Sequence, residues 1–128
     1  MSAASDYTEN LALKFLLGVS TSATRPGAHF VALFTTATTD AGGGTECVGT
    51  NYARQAIAFT VTADSATNTS TITFPAAGNS WGTISHVAVY DLVSGGNQLF
   101  HGAVTTSKLI ENGDTFQISA SNLTITLA

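Results

Sequence analysis

Three histidines, His29, His86 and His101, are the side chains best equipped for chemistry, because imidazole is the commonest metal ligand and general base. None has a partner at a spacing that marks a site. If Gly95-Gly96 forms a two-residue turn, Tyr90 faces His101 and His86 faces Thr105. The two histidines then stand four residues apart along the ladder, roughly 13 Å, too far to share one metal ion. The carboxylates Asp40, Glu46, Asp64, Glu111 and Asp114 fall in turn-like segments, where short polar side chains serve local backbone hydrogen bonds. Asp91 follows an apolar run and in the same register faces Phe100, a place suited to bridging the turn. Ser80 and Ser85 lack a nucleophile-elbow pattern, and Gly42-Gly43-Gly44-Thr45-Glu46 lacks the lysine of a phosphate-cradling loop. A small hydrolase requires His86, His101 and Asp91 to converge with residues distant in sequence. The expectation is therefore a protein without enzymatic activity, with no catalytic residue, metal or cofactor assigned.

Arg54, one of two arginines, follows the glycine loop in Asn51-Tyr52-Ala53-Arg54-Gln55. Its planar fork can pair inside its own subunit, with Asp40 or Glu46, or clamp a neighbouring subunit. Trp81, between Asn79-Ser80 and Gly82, reads as a core or interface plug rather than a carbohydrate platform. Cys47 is the single cysteine, which excludes an intramolecular disulfide and a thiolate zinc site within one chain, and reads as a small buried side chain beside a loop.

The elements that position these residues are mostly strands. Asp6 and Glu9 form a capping-box-like pair, and Tyr7, Leu11, Phe15 and Leu16 recur at helical spacing, which predicts one amphipathic helix over 7–17 closed by Gly18. Val19 to Gly27, rich in Ser and Thr and ending in Arg25-Pro26-Gly27, cannot continue it. Strands are predicted over 28–35, 52–62, 70–74, 85–92, 98–105, 115–119 and 123–127. Thr36 to Asn51 is longer than the usual connection in a compact domain, which marks it as functional or as a contact arm. Asn112-Gly113 favours a type I′ turn, so the last strands should run antiparallel. The fold class is mostly β: an antiparallel β-sandwich or jelly-roll-like domain with one N-terminal α-helix. Residues 1–27 form a helix and linker arm, and 28–128 the β-sandwich, one compact domain overall.

Charged residues make up only 9% of the 128, and the four basic ones are scattered, so no basic stripe exists to neutralise phosphates. Nucleic acid is not an expected partner. The start has no positive n-region and Leu11 to Val19 is too short to span a bilayer, which predicts a soluble, unexported chain with no membrane partner.

Several short motifs, in order, carry a resemblance: Tyr7-Thr8-Glu9-Asn10, Ala32-Leu33-Phe34-Thr35, Asp40-Ala41-Gly42-Gly43-Gly44-Thr45-Glu46, Tyr52-Ala53-Arg54-Gln55, Phe74-Pro75, Trp81-Gly82-Thr83-Ile84-Ser85-His86 and Ser94-Gly95-Gly96-Asn97. From about Asp6 to Leu127 the chain resembles a family of small tailed-bacteriophage virion proteins, variously labelled tail fibre protein or capsid cement protein. The resemblance implies a virion component; because 128 residues with one compact core and no extended repeats, heptads or collagen-like runs cannot form a long fibre shaft, the expected role is a capsid decoration or cement protein that bridges major capsid protein subunits on the virion surface, made in the host cytoplasm, as a homo-oligomer with a trimer favoured by the resemblance. Its alternative is a tail-associated receptor-binding or tail fibre tip module. The expected partner and oligomer contacts are Tyr7, Leu11, Phe15, Glu46, Tyr52, Arg54 and Trp81. The resemblance supplies no catalytic residues.

Overall fold

Two long strands joined by a glycine-rich turn organise the chain, and every other element of the large sheet is added to their flanks. The computed structural model describes residues 3–19 and 25–126. In order, its elements are β1 (Ala3–Ala4), α1 (Asp6–Leu17), β2 (Phe30–Phe34), β3 (Gln55–Ala56), β4 (Phe59–Thr62), β5 (Ser65–Asn68), β6 (Ile72–Thr73), β7 (Gly82–Tyr90), β8 (Gln98–Ile110), β9 (Gln117–Ile118) and β10 (Thr124–Thr126). They form an antiparallel five-stranded sheet in the order β1-β8-β7-β2-β3, a three-stranded sheet β10-β5-β4 and a two-stranded sheet β6-β9. The protein is mostly β with one helix near the N-terminus, as its hydroxyl-rich, charge-poor composition predicts.

Strand alternation gives the large sheet two working faces. On one, Val31, Leu33 and Ile84 pack with Ile57, Ile72, Phe74, Trp81, Ile110 and Phe116, so the β6-β9 pair lies under the sheet. Val89 and Leu99 meet Ile125, Phe59 and Leu123, which seats the three-stranded sheet beside it. The opposite face carries Ala32, Phe34, Ala88 and Tyr90, together with His86 and His101 by register. The first part of the 36–51 segment reaches this second face, with Asp40 on His101, while Cys47 packs into the core of the first. The segment returns along β2 through Thr35 N to Thr45 O (2.9 Å) and Cys47 N to Leu33 O (2.9 Å).

The hairpin turn is wider than the two residues expected. Tyr90 pairs with Gln98, and Asp91 N donates to Asn97 O at 3.2 Å, so residues 91–97 make the turn with Gly95 and Gly96 at φ 65° and 75°. The register shifts accordingly: His101 faces Ala88, His86 faces Ala103, and Asp91 does not face Phe100. Bulges between Ile84 and His86 and after Val89 add to the offset.

Three further expectations are corrected. The strand predicted over 52–62 is two strands, because the chain leaves the large sheet at Ile57, buried with its N–H on His29 O (3.0 Å), and joins the smaller sheet at Phe59. Its hairpin partner β5 has no apolar alternation to reveal it; Ala63, at φ 54°, makes the turn. At 111–114 only Gly113 has a positive φ, so the turn is not type I′, and the chain passes from β8 to a different sheet instead of pairing back on it. The strand over 123–127 is found over 124–126; Leu127 and residues 20–24 of the expected linker lie outside the described residues.

Candidate functional site

Arg54 is the hub of the second face. It follows β2's return loop and precedes β3, a position that carries its fork under the hairpin turn. Nε and Nη2 donate to Glu46 Oε2 and Oε1 (2.9 and 2.8 Å), Nη1 donates to the carbonyls of Leu92 (2.9 Å) and Gly95 (2.7 Å), and the guanidinium lies 3.7 Å from the centre of the Tyr90 ring. Tyr52 completes the cluster: its hydroxyl donates to Glu46 Oε2 (2.7 Å) and accepts from Leu33 N (3.0 Å). The group is an internal staple joining the 46–54 segment, β2 and the hairpin tip. Of the two intrachain partners expected for Arg54, Glu46 is the one used; Asp40 instead bonds His101 Nε2 at 2.7 Å. The fork is thus committed inside its own chain, and a clamp on a neighbouring subunit would have to break these bonds.

Electrostatics follow from the geometry. Burial pushes the Glu46 carboxyl up, but hydrogen bonds from Arg54 and Tyr52 and the guanidinium charge outweigh it and hold it below its ordinary value of 4.5. Burial, then the hydrogen bond to Glu46, pushes the Tyr52 phenol well above its ordinary 10, so it stays a donor. Burial also raises the Cys47 thiol. A carboxyl whose folded pKa is depressed contributes stability that is present above its unfolded pKa and lost as pH falls through the folded value. The expected result is a urea midpoint that declines as pH is lowered from 4.5. In Glu46→Gln that part of the decline is absent, measured by urea titrations in a pH series.

Above the staple lies a depression of about 470 Å³ between the 46–54 segment and the hairpin tip, with exposed Val48 and Val93 on its rim. Trp81 is a buried plug, as expected for one of its alternatives: its ring meets Tyr52 edge-on at 5.6 Å and Nε1 donates to Thr50 O at 2.9 Å. Four of the seven expected contact residues, Glu46, Tyr52, Arg54 and Trp81, therefore belong to one packed cluster. The other three, Tyr7, Leu11 and Phe15, lie on α1.

The helix is bolted at its root and bare along its length. Ser5, not Asp6, is the N-cap: its Oγ accepts from Thr8 N (3.2 Å) while its hydroxyl donates to Gln98 O. Thr8 Oγ1 donates to Leu99 O (2.8 Å), Ser5 N to Leu99 O (2.9 Å) and Asp6 N to Asp40 O (2.9 Å). Beneath, Gln98 Oε1 accepts from Thr38 Oγ1 (2.7 Å) and Nε2 donates to Thr39 O (2.8 Å). Gly18 at φ 64° closes the helix with its N–H on Lys14 O. Yet none of the helix's 12 residues is buried. The spacing picks out Tyr7, Leu11 and Phe15; it misses Leu13 and Leu17, exposed on the opposite side, and the available signal is that every residue of 12–17 except Lys14 is apolar.

The catalytic spacings remain dispersed. Asp91 closes its own turn, with Oδ1 accepting from Asn97 N (2.7 Å) and Oδ2 from Asn97 Nδ2 (3.0 Å). His86 and His101 share a sheet face but have different partners, Ser85 Oγ at 2.8 Å and Asp40. His29 sits edge-on to Phe59. Among the described residues no group of three or more His, Cys, Asp or Glu could hold a metal ion.

Fold and surfaces together define a small antiparallel β module, stapled internally by one ion-pair network and carrying a rooted helix with an uncovered apolar half. The family model for podophage GP4 fiber I protein gp80 matches residues 3–126, and the chain belongs to that family. It is a structural protein of a tailed-phage virion. A search of curated proteins finds no match.

Proposed function

We propose that the chain is a non-enzymatic subunit of the phage tail fibre, a compact module at the base or tip of the fibre rather than a length of its shaft. The observation that carries this is the family's description as a fibre protein, matched over 3–126. The fold supports it: the β body is not built from the repeats or heptads that a shaft needs, and the Arg54–Glu46 ion pair and the His101–Asp40 bond are spent on holding loops together. The fibre description favours the tail over the capsid shell expected from the compact size of the chain, so a cement role bridging major capsid protein takes second place. Within a fibre, the loops around Val48 and Val93 are the surface available for a host-cell protein or glycan.

Cosedimentation of the purified protein with fibreless tails, empty shells and host envelopes tests the placement. Saturable binding to tails, or to envelopes, with none to shells is the expected result. Saturable binding to shells at a fixed number of copies per capsomer overturns it and restores the cement role.

A further inference from the structure

We propose that the distal half of α1 is a membrane-insertion element: it enters the interfacial layer of a phospholipid bilayer while the β body stays in water. This goes beyond the placement in the virion. No helix among the described residues is long and apolar enough to cross a membrane, and none has to be, since an interfacial helix enters one leaflet only. The expectation of no membrane partner rests on the length needed to span a bilayer and does not bear on this mode.

The helix is sorted along its axis. Its start, Asp6 to Asn10, carries both carboxylates, and among the described residues it is Asp6 and Thr8 that bond the helix to the body. From Leu11 to Leu17 every residue but Lys14 is apolar. Leu13, Phe15, Leu16 and Leu17 are 60%, 61%, 77% and 69% exposed, and Val19, just past the Gly18 cap, is 74% exposed. Glu9 stands roughly 12 Å behind Leu17 along the axis. The tip can therefore sink the about 5–10 Å usual for an interfacial helix while both carboxylates stay in water.

The distribution around the axis names the occupant as lipid. At about 100° per residue, the pair Leu13 and Leu17 points roughly 160° away from the pair Leu11 and Phe15, and Ala12 and Leu16 fill one of the arcs between them. A groove on a protein takes one stripe of a helix and leaves the opposite side bare; a fluid acyl layer touches both. Charge agrees with this. Lys14, the one cation of α1, stands with Asn10 in the remaining arc, and its apolar stem lets the ammonium reach back to headgroup phosphates while the tip is immersed. A second apolar projection lies at the same end of the sheet. Leu92 and Val93, 53% and 54% exposed, stand on the hairpin turn beside Gln98, to which Ser5 ties the root of the helix. The root also fixes the direction of the helix before it meets the bilayer, which lowers the ordering cost of insertion.

Flotation of the full chain with protein-free vesicles of phosphatidylcholine and phosphatidylglycerol is the test, since no host protein or glycan can then account for binding. The wild-type chain should float with the vesicles. Leu17→Glu and Phe15→Glu, on opposite sides of the helix, should each weaken binding at least tenfold and keep the melting temperature of the β body, because α1 has no buried residue. Lys14→Glu should weaken it about tenfold, and less on phosphatidylcholine alone. In Phe15→Trp, emission should shift to the blue on vesicles and be quenched by lipids brominated in their acyl chains, whereas the buried Trp81 of wild type should not respond. A wild-type chain that does not float overturns the proposal. So does binding that only one of the two glutamate variants weakens, the mark of a one-sided protein contact, or binding that neither weakens. Binding to tails without binding to vesicles leaves the placement in the fibre standing and overturns this proposal alone.

Discussion

Arg54→Ala should cost about 3 kcal/mol of folding stability, which for a chain of this length lowers the melting temperature by roughly 10 °C. The magnitude rests on what the deletion leaves behind. Glu46 loses both of its guanidinium bonds while staying three-quarters buried, with only Tyr52 still donating to it. The carbonyls of Leu92 and Gly95 lose their donor, and Tyr90 loses the cation stacked on it. Arg54→Lys should recover less than half of the loss, because an ammonium cannot serve Glu46 in bidentate fashion and reach two carbonyls from the same plane. Adding Glu46→Gln to Arg54→Ala should be milder than additivity requires, since the stranded charge is removed. Urea denaturation of wild type, the three single variants Arg54→Ala, Arg54→Lys and Glu46→Gln, and the double variant measures this. An Arg54→Ala chain as stable as wild type would show that the staple contributes nothing net. Because the residue is only 8% exposed, loss of partner binding in this variant would report loop collapse rather than a missing contact.

Gly49→Ala should be nearly as damaging, about 3 kcal/mol, for the opposite reason. Gly49 is not at a positive φ, so its backbone would accept alanine; the obstacle is space. A Cβ there would collide with Trp81 Cδ1, stand 2.6 Å from Nε1 and 2.8 Å from Asn79 Oδ1. Neither neighbour can give way freely. The indole is wedged against Tyr52 and holds Thr50 O, and Asn79 Oδ1 accepts the Thr50 N–H at 2.9 Å. Since Trp81 is the chain's only tryptophan, its fluorescence reads the event directly. A red shift in the native state together with a lowered urea midpoint is expected. An unshifted emission with unchanged stability would mean that the 49–50 segment moves aside as a unit.

The sequence carried the helix, the central hairpin and the long loop, because each is marked by a local signal: spacing, flanking glycines, or length. It could not carry the split at Ile57, where alternating residues continue unbroken while the backbone changes sheets, a decision taken by tertiary packing under β2. The hairpin register was out of reach because Gly95-Gly96 is compatible with a tight turn, and the wider one is held by the Asp91 bonds to Asn97 and the Arg54 bonds to Leu92 and Gly95. At the candidate site, residue types narrowed the partner of Arg54 to two carboxylates; choosing between them took the return of the loop along β2, which brings Glu46 opposite Phe34. The uncovered side of α1 escaped notice because the apolar spacing picks out Tyr7, Leu11 and Phe15, whereas Leu13 and Leu17 fall on the opposite side.

The pairing of Ala3 and Ala4 with His101 and Phe100 closes a circuit of nearly the whole chain. Neither alanine has a rung to join until β7 and β8 have been synthesised and paired, and contacts of such sequence separation form late. This segment is made before the strand it pairs with and is therefore among the last parts of the domain to settle.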